Sequence, residues 1–276
     1  MWYNKSMITM NTRLQFYKFD QLDSTNAKAR ELASSGASHG TVIVAGEQTA
    51  GRGRLGRSFV SPKNSGIYLS VILRPEVIGL DNSSITLLTT AAAVAVARAV
   101  KRALDLELQI KWVNDLYLDG KKVCGILTEG VIDPKLGTFD AVIIGIGLNY
   151  REPDGGFPDE LKDIAGALIP AGQTVSTEHL PTCDELAMFL SEELLSLLPN
   201  LTSREFLNEY RSRSMVLGRK VRIFPKGPVG SNPERNFENG ETVTALDISE
   251  DGGLMIRRDN GTVETLTTGE ISLRLL

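Results

Sequence analysis

Hydrophobic positions along the chain follow two rhythms. Up to about residue 214, β-branched runs alternate with helical stripes; after Met215 only strand-like runs follow, cut by tight-turn dipeptides. Ser24 and Thr25 precede Asn26–Ser35, a stretch of helix formers ended by Gly36, which predicts a short capped helix. Thr41–Glu47 (TVIVAGE) and Ile67–Leu73 (IYLSVIL) predict strands, the second ended by Pro75. Between them Gln48–Pro62, rich in Gly, Arg and Ser, predicts a loop. The Ala- and Val-rich stretch Ile85–Leu104 predicts a buried helix, capped by Asn82 or Ser83. Its threonines and its basic end (Arg98, Lys101, Arg102) are unlike a membrane span.

Four strands are then predicted close together: Glu107–Trp112, Leu116–Leu118, Val123–Glu129 and Phe139–Leu148. Asp119-Gly120 marks a hairpin, because both residues tolerate positive φ. Phe139–Leu148 is apolar almost throughout, as expected of a central strand buried on both faces. Pro153–Gly172 reads as a connector. Thr182 with Glu185 predicts a capping box ahead of the stripe Leu186, Phe189, Leu190, Leu194 and Leu197, a core-packing pattern, and Ser203–Ser214 predicts a second short helix. Arg219–Phe224, Glu241–Ile248, Gly253–Arg258 and Thr262–Thr267 predict strands, separated by Asn239-Gly240, Asp251-Gly252 and Asn260-Gly261. The expected architecture is α+β: a mixed domain over residues 1–214, then a small β-barrel over residues 215–276.

Composition narrows the chemistry. The 276 residues carry a net charge of −4, which argues against a protein held on nucleic acid by a basic surface. The two cysteines, Cys124 and Cys183, and the two histidines, His39 and His179, are scattered, so neither a disulfide framework, a His/Cys zinc site nor a histidine triad is expected. Residues 1–13 lack the apolar run of a signal peptide, and the expected setting is cytoplasmic.

Three motifs stand out. Gly51-Arg52-Gly53-Arg54-Leu55-Gly56-Arg57 combines backbone freedom with three guanidinium groups, a combination suited to carboxylate or phosphate oxygens; taken alone it is also what a flexible basic loop looks like. Lys111-Trp112-Val113-Asn114-Asp115, with Lys122 and Gly125, sets cations beside a carboxylate on adjoining strands. That could gather a phosphate and Mg²⁺, or be a surface hairpin with exposed ion pairs. Gly145-Ile146-Gly147-Leu148-Asn149 lacks the third glycine of a dinucleotide fingerprint and points instead to close backbone approach to a ligand, with Asn149 available beside it.

The order of these segments is what carries a resemblance. Ser24-Thr25-Asn26, Glu47-Gln48 with GRGRLGR, KWVNDLYLDGKKVCGILTE, GIGLN and Gly269-Glu270-Ile271-Ser272-Leu273-Arg274, together spanning about residue 14 to the end, resemble the biotin–protein ligase family. The resemblance implies a mixed central sheet flanked by helices, of the class II synthetase-like type, followed by an SH3-like barrel. It implies biotin and ATP as substrates with Mg²⁺, and an adenylate intermediate. Ser24, Thr25, Asn26 and Gln48 would contact the biotin rings; Arg52, Gly53 and Arg54 would lie over the carboxylate and the adenylate. Arg57 would aid phosphate binding, and Lys122 would bridge biotin and the α-phosphate, which makes Lys122, Arg52 and Arg54 the catalytic set. Lys111, Asn114 and Asp115 would serve the nucleotide, Asp115 also Mg²⁺; Asn149 and Arg274 would reach the nucleotide as well. Val113 stands where many relatives have proline, and Phe59 where a tryptophan that packs on adenine is common.

The implied partner is a biotin carboxyl carrier domain of acetyl-CoA carboxylase or a related carboxylase, with no membrane partner and a homodimer possible through a sheet edge. Because the Ser-Thr-Asn motif begins at residue 24, the form expected is one without the N-terminal DNA-binding domain of relatives that double as repressors, hence no DNA partner. Two other readings stand beside this one. A lipoate–protein ligase or acyl transferase of related fold also modifies a carrier lysine, and a nucleic-acid-binding module would use the arginine loop and the barrel, with steep salt dependence.

Overall fold

The structure is a computed structural model and describes residues 3–9, 12–79, 85–172, 180–224, 240–267 and 270–272. Strands β1 (Tyr3–Thr9) and β2 (Thr12–Phe19) pair antiparallel. Helix α1 (Thr25–Ser34) follows, its first turn capped by the Ser24 side chain, as its sequence predicts. Strands β3 (Thr41–Ala45) and β4 (Gly66–Leu73), the one-turn helix α2 (Pro75–Ile78) and the long helix α3 (Ile85–Leu104) come next. The residues expected to cap α3, Asn82 and Ser83, lie outside the described residues. Then come β5 (Gln109–Lys111), β6 (Asp115–Leu118), β7 (Lys121–Ile132) and β8 (Phe139–Asn149). Asp119 and Gly120 take φ of 49° and 76° between β6 and β7, the turn their dipeptide calls for.

These strands form one eight-stranded sheet in the order β1-β2-β3-β4-β8-β7-β6-β5. Only the β2–β3 pair is parallel, so the sheet is mixed as expected. The strand β2 was not foreseen: Thr12–Phe19 mixes Lys, Arg and Gln with its apolar residues and carries no turn signal ahead of it. The most apolar run, β8, sits between β4 and β7 and is buried along almost its whole length.

Alternation along the strands sorts the two faces. Val142, Ile144, Ile146 and Leu148 of β8 belong to the large core beneath α3, whereas Ala141 and Ile143 pack with Ala29 and Ala33 of α1 on the other face. Gly145 and Gly147 continue that second face beyond the start of α1. The sheet there carries no side chain of its own at two successive positions, and a trough opens.

Helix α4 (Cys183–Leu197) starts at the predicted capping box, Thr182 Oγ1 accepting from Glu185 N–H and the Glu185 carboxylate accepting from Thr182 N–H. It packs on α3, and after a 3₁₀ stretch α5 (Phe206–Arg213) does so too. The last strands, β9 (Lys220–Phe224), β10 (Glu241–Ile248), β11 (Leu254–Arg257), β12 (Val263–Leu266) and β13 (Glu270–Ser272), form a second, wholly antiparallel sheet in the order β12-β11-β10-β9-β13. Its Val221, Val243, Ala245, Ile248, Leu254 and Ile256 join the large core rather than forming a separate one. Arg211 of α5 donates to Ile248 O at 2.6 Å, and the Trp112 indole N–H donates to Gly252 O at 2.8 Å. The second sheet is thereby fixed to the segment that carries Asn114 and Asp115. No helix among the described residues is long and apolar enough to cross a membrane.

One histidine makes stability depend on pH. His39 Nδ1 accepts the Arg74 backbone N–H at 3.2 Å, and burial lowers its pKa from the ordinary value of 6.5. A lowered folded-state pKa means the unfolded chain takes up the proton first. Stability is therefore intact above pH 6.5 and falls as pH drops through the folded value. His39→Asn keeps a side-chain acceptor but does not titrate. The melting temperature of the native protein should fall more than that of the variant between pH 7.5 and 5, checked by thermal melts at both; parallel losses would contradict this.

Candidate functional site

The trough is roofed by the Gly/Arg segment, which is not a slack loop. Gln48 N–H donates to Ser61 O, Phe59 N–H to Gly51 O and Gly53 N–H to Arg57 O at 2.7–3.1 Å, a small hairpin. Its tip is a 3₁₀ turn in which Leu55 and Gly56 take φ of 59° and 77°. Only Gly is at ease there, which accounts for Gly56. Between this hairpin and the sheet lies a cavity of about 150 Å³.

The floor explains the glycine pair of β8. Gly145 lies between Ser70 of β4 and Leu127 of β7, and Gly147 between Tyr68 and Gly125. A methyl on Gly145 would collide with Asn26 Oδ1, and one on Gly147 would lie 2.6 Å from the Phe59 ring. Both glycines border the cavity. What approaches them first is a side chain of this protein, Asn26 over one and Phe59 over the other. Phe59 also meets Tyr68 edge-on, with ring centroids 6.5 Å apart.

At the Asn26 end the groups are short, polar and buried. The Gln48 carbonyl accepts from the Thr25 N–H and hydroxyl at 2.9 and 3.1 Å, while its amide donates to Ser61 Oγ at 2.8 Å. Ser70 Oγ lies 2.8 Å from Thr25 Oγ1 and donates to Asn26 Oδ1 at 2.7 Å. Asn26 Nδ2 donates to Glu129 Oε2 at 2.8 Å. Ser24, Thr25, Asn26 and Gln48 thus meet at one end of the cavity, held by Ser61, Ser70 and Glu129, which the sequence reading did not single out. A serine inside the apolar run IYLSVIL and an acid within a buried strand were the available signals.

Charge lines the rest of the cavity, from Arg52 beside the Asn26 end to Lys111 and Lys122. Arg52, Arg54, Arg57, Lys111 and Lys122 border the cavity against one carboxylate, Asp115, so the site is strongly cationic within a chain of net charge −4. Lys122 Nζ lies 2.6 Å from Asp115 Oδ1. Asn114 Nδ2 donates to the same oxygen at 3.0 Å and its carbonyl accepts from Arg54 at 2.9 Å, so hairpin and floor are joined. The Lys111 ammonium sits 5.8 Å from the centre of the Tyr117 ring. Burial, with Asp115 adding to it, pushes the Tyr117 hydroxyl well above its ordinary pKa, so it stays neutral.

Burial likewise pushes the Cys124 thiol far up, and no cysteine or histidine borders the cavity among the described residues. Nor do the described residues hold a group of three or more His, Cys, Asp or Glu side chains placed for a metal. Asn149 lies apart: its amide donates to Gly166 O at 2.9 Å, and it does not border the cavity. Arg274 lies outside the described residues. Chemically, the arrangement offers a polar slot for an uncharged head group and a run of cations for a carboxylate and phosphates.

Comparison with known proteins agrees in kind. Residues 18–149 match the model of the biotin/lipoate A/B protein ligase family, and residues 236–274 that of the biotin protein ligase C terminal domain. The chain is 32% identical over 209 residues to the biotin--[acetyl-CoA-carboxylase] ligase of Mycobacterium tuberculosis, covering 74% of this chain and 72% of that one. It is 42% identical over 171 residues to the bifunctional ligase/repressor BirA of Bacillus subtilis, covering 60% of this chain. Here the chain spans about half the length of the curated relative, 51%. Among solved structures, the biotin protein ligase of Aquifex aeolicus in complex with biotin and ATP matches with a TM-score of 0.73 at 27% identity, over 94% of this chain and 98% of that one.

Proposed function

This chain belongs to the biotin protein ligases, and from that premise we propose that it joins biotin to ATP as biotinyl-5'-AMP and then transfers biotin to a carrier lysine. The observation that carries the reading is the division of one cavity into a buried polar slot and a cluster of five cations. Biotin has the same division. Its planar ureido head carries donors and an acceptor that suit Ser24, Thr25, Asn26 and Gln48, and its tail ends in a carboxylate. That tail would point toward Lys122.

In the first half-reaction a carboxylate oxygen of biotin attacks the α-phosphorus of ATP and pyrophosphate leaves. Both reactants are anions. Arg52, Arg54, Lys111 and Lys122 offset their repulsion and hold them in line, and the added charge of the transition state falls among the same cations. In the second, the carrier lysine amine attacks the biotinyl carbonyl, AMP leaves, and the amine proton passes to solvent or phosphate. No protein nucleophile is needed, in keeping with the neutral Cys124. The donor set also suits Mg²⁺, which takes one or two carboxylates and fills its shell with phosphate and water. Asp115 and Asn114 would hold it, and when bound it neutralises phosphate charge. The acceptor we propose is a biotin carboxyl carrier domain.

The deciding experiment is exchange of labelled pyrophosphate into ATP. Exchange that requires biotin, and that lipoate does not replace, is the expected result; exchange driven by lipoate would move the chain to the lipoate branch. Arg52→Ala opens the hairpin side of the cavity, which should shield the adenylate from water and from stray amines. The variant should form the adenylate but release it, seen as biotin on non-cognate proteins added to the assay. Undiminished selectivity would show that the arginine is no part of the shield.

A further inference from the structure

Just beyond the cavity, one carboxylate touches three side chains, two from α1 and one from the hairpin. Glu129 lies on β7 with its side chain 17% exposed, facing the same side as Gly125 and Leu127. Its Oε2 accepts from Asn26 Nδ2 at 2.8 Å. Its Oε1 is 3.4 Å from Arg30 Nη2 of α1 and 3.5 Å from Arg52 Nη2 of the hairpin.

The two sides of this carboxylate work differently. Toward Asn26 it is directive. A carboxylate can only accept, and so can Leu127 O, 3.3 Å from the same Nδ2, so the amide must turn its NH₂ to them. The Asn26 carbonyl then receives the Ser70 hydroxyl and keeps its second lone pair for the cavity, an acceptor for a ureido N–H. Toward Arg52 the grip is light. Arg52 is 51% exposed, and ion pairs at the solvent boundary contribute little. An anion entering the cavity can therefore draw the guanidinium away.

We infer that Glu129 is a positioning residue of the proposed reaction: it fixes which face of the Asn26 amide meets the biotin head and stations Arg52 at the rim, ready to swing onto the adenylate. This rests on the reading of the cavity as a biotin and ATP site. It links head-group recognition to the hairpin through one side chain, which neither the arginine loop nor the Ser-Thr-Asn segment does alone.

Two variants separate the roles. Glu129→Gln keeps the size and an acceptor for Asn26 but loses the charge. Glu129→Ala loses both. With Glu129→Gln, KM for biotin should stay within about twofold while release of free adenylate rises about three- to fivefold, the scale of one solvent-edge ion pair. With Glu129→Ala, KM for biotin should also rise roughly tenfold or more, as for loss of a charged hydrogen bond, with kcat less affected. Adding Arg52→Ala to Glu129→Gln should increase adenylate release no further than Arg52→Ala alone; independent, multiplying effects would overturn the link. Equal KM for biotin in a folded Glu129→Ala variant would overturn the Asn26 role. Should that variant not fold, the Glu129→Gln and Arg52→Ala cycle still decides the link to Arg52.

A third measurement needs no substrate. Trypsin should cut after Arg52, Arg54 or Arg57 severalfold faster in free Glu129→Gln than in the native protein. Faster cutting in a protein that shows no biotin-dependent exchange would refute the ligase reading and leave the anchor standing. Unchanged cutting would refute the anchor whatever the exchange assay gives.

Discussion

Lys122→Ala should lower biotin-dependent pyrophosphate exchange by roughly a hundred- to a thousandfold, the scale on which loss of one preorganised charge donor slows a reaction. The geometry makes this the most damaging single change. The Lys122 side chain runs over Gly125, where an added methyl would lie 3.3 Å from Nζ, and ends 2.6 Å from Asp115 Oδ1. It stands on the floor beside Asp115, where on the proposed reading a bound carboxylate and the α-phosphorus would meet. Removing it has two costs. The reacting anions lose their nearest cation, and Asp115 is left as an unscreened negative charge facing them. Lys122→Arg should recover only part of the rate, because a planar fork does not fit where a compact ammonium fills the space over Gly125. Thermal stability should fall modestly, since the pair is only 28% and 23% exposed but Asp115 keeps the Asn114 amide as a partner. Exchange within tenfold of the native rate, in a protein with a normal melt, would remove Lys122 from the reacting centre.

The sequence made the site's cast legible better than its staging. Short polar residues at 24–26, the Gly/Arg loop and the Lys/Asn/Asp stretch were readable because each has a composition that plain core packing does not need. They do meet around one cavity. Buried strands were readable wherever β-branched residues ran together, as in β4 and β8. What could not be read was which residue lies over which. The glycines of β8 announced a close approach, but Asn26 comes to them from a helix about 120 positions earlier, and only strand register puts Ser70 and Leu127 on its two sides. Glu129 was hidden for the same reason: an acid in a strand looks like a solvent-facing residue until the opposite face is known to be covered by α1. Asn149 shows the converse. Its place at the end of GIGLN suggested a ligand contact, yet in the fold its amide serves the connector at Gly166.

The register of β8 makes a second large effect predictable, and it divides the cavity. Gly145→Ala places a methyl against Asn26 Oδ1, and Asn26 cannot step aside because Ser70 holds one end of its amide and Glu129 the other. Overpacking of a site tied on both sides is relieved only by breaking one tie or by shifting strands, so about 1–3 kcal/mol of stability should be lost. KM for biotin should rise roughly ten- to a hundredfold, since a misdirected amide loses a buried hydrogen bond and leaves its partner unpaired. KM for ATP should move little. Gly147→Ala is the same chemical change two residues on, but its methyl lies 2.6 Å from the Phe59 ring, which is half-buried and rests on the hairpin. The ring can tilt, so less stability is lost. On the proposed reading the displaced ring would be what a base stacks on, so here KM for ATP should rise, by about tenfold on the scale of one lost stacking contact, while KM for biotin holds. Steady-state kinetics on the two variants therefore give a crossed pattern. If both variants raised both constants alike, the two glycines would be serving the strand as a whole, and the division of the cavity into a head-group end and a nucleotide end would be wrong.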